Sequence, residues 1–314
     1  MQKMYLDYLD GYRGSLAFWV FLHHAKTLGN LDCDYDYFFM TGYFIGVVGF
    51  FLLSSYLLTY RLLDELKENG DSNNQILLIF INYFIRRFFR IYVPYALICT
   101  LVKHVSPLFG GSFKWNQICY FELLKLNPTE LTHLWTIPAE VKYYFFIPVL
   151  VLITHKFSKN VTNKIVWILI LVVALSIIEM FNLFDSPLEN DNYPFGIWNK
   201  FLTRFTTFFL GSILAFIMNL IHDSKIYKHQ KEKKNFGFTF GTIALVMYIA
   251  GMILCSRVYV PSLSDKYFFL ISVYWAIFLF FFILGGDNYF TDFFKSRLFY
   301  FGGKFSLGNY LYHV

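Results

Sequence analysis

Charge is scarce in this chain. Only 15% of its 314 residues are Asp, Glu, Lys or Arg, where soluble domains carry about 25%. Apolar residues make up 57% and aromatic residues 22%, more than a soluble fold of this length can hide, which excludes an ordinary water-soluble enzyme. Cysteine is sparse too: Cys33, Cys99, Cys119 and Cys255 show no CxxC spacing, so zinc-ribbon and dithiol redox chemistry have nothing to build on and no metal is expected. No fixed-period repeat and no long Gly/Ser or Pro linker interrupts the chain. Residues 1–314 therefore read as a single domain rather than a solenoid or tethered modules. Asp7, Asp10 and Arg13 precede the first apolar run and no small-residue cleavage site follows it, so the first helix is expected to stay in place. The net charge of +6 gathers into no basic stripe, and no nucleic-acid partner is expected.

Long apolar runs take the place of these missing features. They fall near residues 12–28, 38–60, 88–108, 137–155, 165–184, 199–221, 237–255, 267–285 and 298–314, each close to the length that crosses a hydrocarbon core of about 30 Å as a helix. The fold class is thus all-α, a polytopic membrane helix bundle of about nine transmembrane helices. Basic residues concentrate in alternate loops: Lys3, then Arg61 to Arg90, Lys156 to Lys164, Lys225 to Lys234, and Lys295 with Arg297. The other loops hold only Lys26, Lys114, Lys125, Arg257 and Lys266, so the N-terminus is expected on the cytoplasmic side. The sequon Asn160-Val161-Thr162 then falls in an inner loop, where it stays unmodified. Cys33 and Cys119 share the outer side, as free thiols or as a disulfide where that side is oxidising.

Ionisable groups inside membrane helices are costly and usually functional. Arg13 and His24 stand eleven residues apart in the first run, and eleven helical steps return to nearly the same face, roughly 16 Å along the axis. One reading has Arg13 snorkelling to the headgroups and His23-His24 marking the outer end of the helix. The other makes Arg13 an anion clamp and His24 a general base. Arg87 and Arg90, within Arg86-Arg87-Phe88-Phe89-Arg90, are neighbours on a helix surface, either as positive-inside anchors or as two guanidinium forks for a polyphosphate. In the segment from His133 through Trp135 to Glu140, Tyr143 and Pro148, Trp and Tyr are ordinary interfacial residues. A carboxylate entering a membrane helix, as Glu140 does, needs an Arg, a His or a polar cavity.

In this order the motifs resemble the acyltransferase 3 family of membrane O-acyltransferases. Leu9-Asp10-Gly11-Tyr12-Arg13-Gly14 with His24 looks like that family's opening motif and its Arg, ten residues, His signature. Gly49 to Tyr56 resembles its second-helix motif, with Ser55 where Gly is usual, and Arg87 to Arg90 its Arg, two residues, Arg pattern. His133 to Pro148 is similar to its His-x-Trp-Ser segment, with Thr136 in place of Ser. Phe205 to Ala215 and Ser306 to His313 resemble two further family stretches, the last interrupted by Gly308-Asn309.

The resemblance implies a lipid-embedded enzyme that takes an acyl-CoA donor, often acetyl-CoA, from the cytoplasm and acylates a hydroxyl on a glycan, lipid or small molecule. It implies His24 as base, Arg13, Arg87 and Arg90 on the donor phosphates, Glu140 orienting His24 or pairing with an Arg, and His133, Trp135 and Tyr143 supporting the substrate. Direct attack is expected, because neither Ser54 nor Cys99 has a base partner evident in the sequence. Family members usually have ten membrane helices, so this chain is expected to be cut short after Val314. Oligomeric state is not legible. The competing classes are a transporter, whose buried Arg, His and Glu would guide substrate or protons, and an inactive membrane scaffold. An inverted repeat with paired broken helices, the mark of many transporters, is missing.

Overall fold

The computed structural model describes residues 7–29, 42–70, 72–97, 100, 136–157, 160–180, 196–231, 234–258 and 264–304. Among these residues the regular structure is entirely helical, as membrane burial requires when each segment must satisfy its own backbone polar groups. The helices are α1 (Asp7–Gly29), α2 (Gly49–Asn69), α3 (Asn73–Arg87), α4 (Thr136–Phe157), α5 (Val161–Met180), α6 (Gly196–Asp223), α7 (Lys225–Lys231), α8 (Lys234–Val258), α9 (Ser264–Gly285), α10 (Tyr289–Phe294) and α11 (Arg297–Lys304). Two π-helical turns, Tyr43–Val48 and Phe88–Tyr92, lead into α2 and out of α3.

Among the described residues, five helices are long and apolar enough to cross a membrane: Ile45–Asn69, Val161–Glu179, Arg204–Asp223, Asn235–Ser256 and Phe268–Gly285. On α5 the side chains of Ile165, Val166, Leu169, Ile170, Val173 and Ile177 all face outward. A contiguous surface of this kind is at home in lipid and not in water. The chain is an all-α polytopic membrane protein. In α1, Asp7, Asp10, Arg13, His23 and His24 place five ionisable side chains on one helix.

Two segments run beyond their sequence-based boundaries. The run expected at residues 38–60 continues as helix to Asn69, and the third apolar segment, expected at residues 88–108, is helical over its described residues 88–97 and 100 and is preceded by α3 from Asn73. Ser72 begins it through a capping box, its hydroxyl accepting from the Gln75 amide while its own amide donates to Gln75 Oε1. This satisfies two of the donors that a helix start leaves orphaned. The apolar run at residues 298–314 is described only through Lys304, where α11 ends, and Cys33, Cys119 and residues 305–314 lie outside the described residues.

The chain divides into two compact units, Met1–Tyr60 with Thr207–Val314, and Arg61–Thr206. The first has an aromatic core in which Tyr12 packs against Phe278, Phe282 and Phe294 at centroid separations of 5.4 to 5.7 Å. Tilted and edge-on pairs of this kind contribute roughly 0.5–1.5 kcal/mol each beyond their area. Close backbone approach supplies the rest, since lipid-embedded helices associate through packing and small residues. A Cβ at Gly211 of α6 would strike Ser55 Oγ of α2, and one residue further on Ser212 shares a 2.8 Å hydrogen bond with Thr59. In the second unit, Trp167 of α5 donates to Thr154 Oγ1 of α4 at 2.8 Å.

Candidate functional site

The first group of functional side chains rides on α1. Three backbone contacts hold its opening turn in place: a Cβ at Gly11 would collide with the Phe294 carbonyl, one at Gly14 with the Phe299 carbonyl, and one at Gly303 with the Asp10 carbonyl. The glycines of the opening motif thus let α1 lie directly on the backbone of α10 and α11. Above this turn Arg13 Nη1 donates to Asp10 Oδ1 at 2.9 Å, with the two side chains only 16% and 24% exposed.

Further along, α1 makes two kinds of polar contact. On the side facing α8, Trp19 Nε1 donates to the Tyr248 hydroxyl at 3.0 Å, and Ser15 Oγ donates to the Tyr12 carbonyl at 2.8 Å. Near the other end His24 is half-buried, its Nδ1 lying 3.1 Å from the Val20 carbonyl oxygen and its ring edge-on to His23. A carbonyl oxygen only accepts, so the bond requires the proton on Nδ1. A neutral ring then carries its lone pair on Nε2, the nitrogen able to receive a proton.

The second group belongs to the other unit. Tyr83 of α3 donates to the Tyr144 carbonyl of α4 at 3.3 Å, and the Tyr144 hydroxyl donates to Glu140 Oε1 one helical turn away. Arg87 lies within electrostatic reach of Tyr144, Arg90, Tyr83 and Glu140, which gives the carboxylate entering this helix a cationic neighbour. Arg87 Nε is buried without a hydrogen-bond partner among the described residues. Arg87 is half-buried and Arg90 exposed. The difference follows the local geometry, because the chain changes from α to π winding right after Arg87 and a π turn holds more residues than an α turn. Tyr143 is fully buried, edge-on to Phe205 at 5.6 Å.

Arg13 and His24 therefore share one helix of the first unit, and Arg87, Arg90, Glu140 and Tyr143 gather in the second. His133 and Trp135 lie outside the described residues. Asp10 and Tyr144 carry polar contacts that the motif reading passes over. Both were open to spacing alone, since Asp10 precedes Arg13 by three residues and Tyr144 follows Glu140 by four, the two separations that meet on a helix surface. Tyr248 comes to Trp19 from 229 residues away, and no local pattern announces it.

Residues 6–314 match the family model described as Acyltransferase domain, the acyltransferase 3 family. A protein of Staphylococcus aureus strain COL named "Putative O-acetyltransferase" is 25% identical over 334 aligned residues, covering 98% of this chain and 50% of that protein. The O-acetyltransferase OatA of Staphylococcus aureus strain NCTC 8325 is 27% identical over 237 residues, covering 69% of this chain and 36% of OatA. The chain spans about half the length of the first of these relatives. No solved structure matches it. With a family match running along nearly its whole length, this chain belongs to the acyltransferase 3 family.

Proposed function

We propose that the chain is the membrane-embedded catalytic part of an O-acyltransferase. It takes an acyl group, in the first place acetyl, from acyl-CoA on the cytoplasmic side and passes it to a hydroxyl of a glycan, lipid or small molecule. The observation that carries this reading is the His24 ring: its Nδ1 lies on the Val20 carbonyl, on a helix that also bears the half-buried Arg13. The relatives' names, both O-acetyltransferase, support the acetyl choice.

His24 Nε2 takes the proton of the acceptor hydroxyl as its oxygen attacks the thioester carbonyl carbon. The tetrahedral oxyanion then collapses, the carbon–sulfur bond breaks, and the departing thiolate takes the proton back from the imidazolium. The ester forms without a covalent enzyme intermediate, and the base is regenerated. The charged nucleotide end of the donor needs cations. Arg13 in the first unit, and Arg87 and Arg90 in the second, are each candidates for that role, and the buried Arg87 Nε is a donor suited to a phosphate oxygen. Glu140 keeps Arg87 company electrostatically, while His133, Trp135 and Tyr143 support the bound substrate.

The class of reaction is tested with purified full-length protein in lipid nanodiscs and acetyl-CoA labelled in the acetyl group. Label appearing in an ester, identified by mass spectrometry, supports acyl transfer. Label that stays on CoA, with the protein carrying a solute across vesicles instead, overturns it in favour of transport.

A further inference from the structure

We infer that Asp10 is a positioning residue that holds the Arg13 guanidinium ready for the donor anion; this rests on the reading of Arg13 as an anion clamp. Three observations point there. The carboxylate is bonded to Arg13 Nη1 at 2.9 Å in a half-buried pair. The backbone beneath the pair is fixed: the Asp10 carbonyl is covered by Gly303, and Gly11 and Gly14 lie on the carbonyls of Phe294 and Phe299 with no room for a side chain. Finally, the pair occupies one flank of α1, since Asp10 and Arg13 differ by about 60° around the helix and Arg13 and His24 by about 20°.

A guanidinium with little exposure pays a desolvation cost that a carboxylate at hydrogen-bond distance offsets. Without that partner the long side chain relaxes toward the headgroups, where its charge is hydrated. With it, the planar fork is held in a fixed direction, the geometry in which a guanidinium presents N–H groups to a phosphate. The opposing effect is repulsion between the carboxylate and the incoming anion. Orientation prevails here because the pair is neutral as a unit and its backbone cannot move, so the geometry of the fork decides the binding.

The test measures CoA affinity by calorimetry and steady-state kinetics with acetyl-CoA on the full-length protein. Asp10→Asn is expected to weaken CoA binding and raise the donor KM by about tenfold, the scale of one lost charge-assisted contact, while kcat changes less than about twofold. Asp10→Glu, which keeps the charge, recovers most of the affinity. In an Arg13→Gln background Asp10→Asn has no further effect on CoA affinity, because its action passes through Arg13. Unchanged or tighter CoA binding in Asp10→Asn overturns the inference, as does full additivity with Arg13→Gln. A generally destabilised protein would lose apparent kcat at an unchanged donor KM and would not be rescued by Glu. His24→Ala serves as the separate arm: it is expected to bind CoA normally without turnover. Normal turnover there sinks the catalytic reading itself, whereas a dead His24→Ala beside an unaffected Asp10→Asn sinks only the role of Asp10.

Discussion

The chemistry proposed for this protein depends on where single protons and charges sit. His24 matters because its Nδ1 is tied to the Val20 carbonyl, which sets which nitrogen can act as base. Arg13 matters because it stays partly inside the bundle instead of reaching for the surface. Arg13→Lys keeps the charge but not the planar fork, so donor affinity is expected to fall about tenfold or more, read as a KM increase for acetyl-CoA. The eleven-residue spacing in the sequence singles out Arg13 and His24, and the structure places both on α1. Asp10 was visible in the same stretch, but a surface-like acidic residue three positions before an arginine is common enough to pass as a plain helix pair. The Tyr248 contact to Trp19 was not legible, because it depends on how two distant helices turn toward each other.

At the level of elements, glycine placement and capping decide more than hydropathy does. Gly11→Ala puts a methyl group against the Phe294 backbone carbonyl, which no rotamer change relieves. It is expected to cost about 2–3 kcal/mol, at the upper end for overpacking, and to lower the unfolding midpoint in detergent. Ser72→Ala removes the cap that starts α3 and is expected to cost about 1 kcal/mol, read as faster hydrogen exchange over the first turn. The turn between α10 and α11 carries a pH-dependent contribution. Lys295 donates to Asp287 at 2.7 Å and Asp292 at 2.9 Å; burial acts to lower its pKa, but these carboxylates outweigh it and raise the ammonium above its ordinary value. A raised folded pKa means the contribution is fully present below the unfolded value of about 10.4 and is lost as pH rises through the folded one. The melting temperatures of wild type and Lys295→Met should therefore differ at pH 8, and the difference should shrink as pH rises past the ordinary lysine value of about 10.4. Apolar runs located most helices well. They pass over α3, whose start is set by a hydrogen-bonded cap that hydropathy does not see.

For the molecule as a whole, composition alone indicates a lipid-embedded helical protein, and the helices of the described residues agree with it. Which residues of separate segments meet was far less legible, because membrane helices associate through small residues and scattered polar contacts instead of a repeating apolar stripe. From the loop charges we propose that the N-terminus lies on the cytoplasmic side. In a cysteine-free background, a cysteine at Lys228 is expected to react with a membrane-impermeant thiol reagent only after permeabilisation, and labelling of intact cells would reverse the orientation. In the proposed mechanism an imidazole on α1 removes the acceptor proton during acyl transfer. The most direct measurement is single-turnover acetyl transfer from labelled acetyl-CoA by wild type and His24→Ala, both purified and both shown to bind CoA. The account predicts that the variant loses at least about 100-fold in the transfer step, the scale of a general base, with CoA binding intact; transfer at the wild-type rate would contradict it.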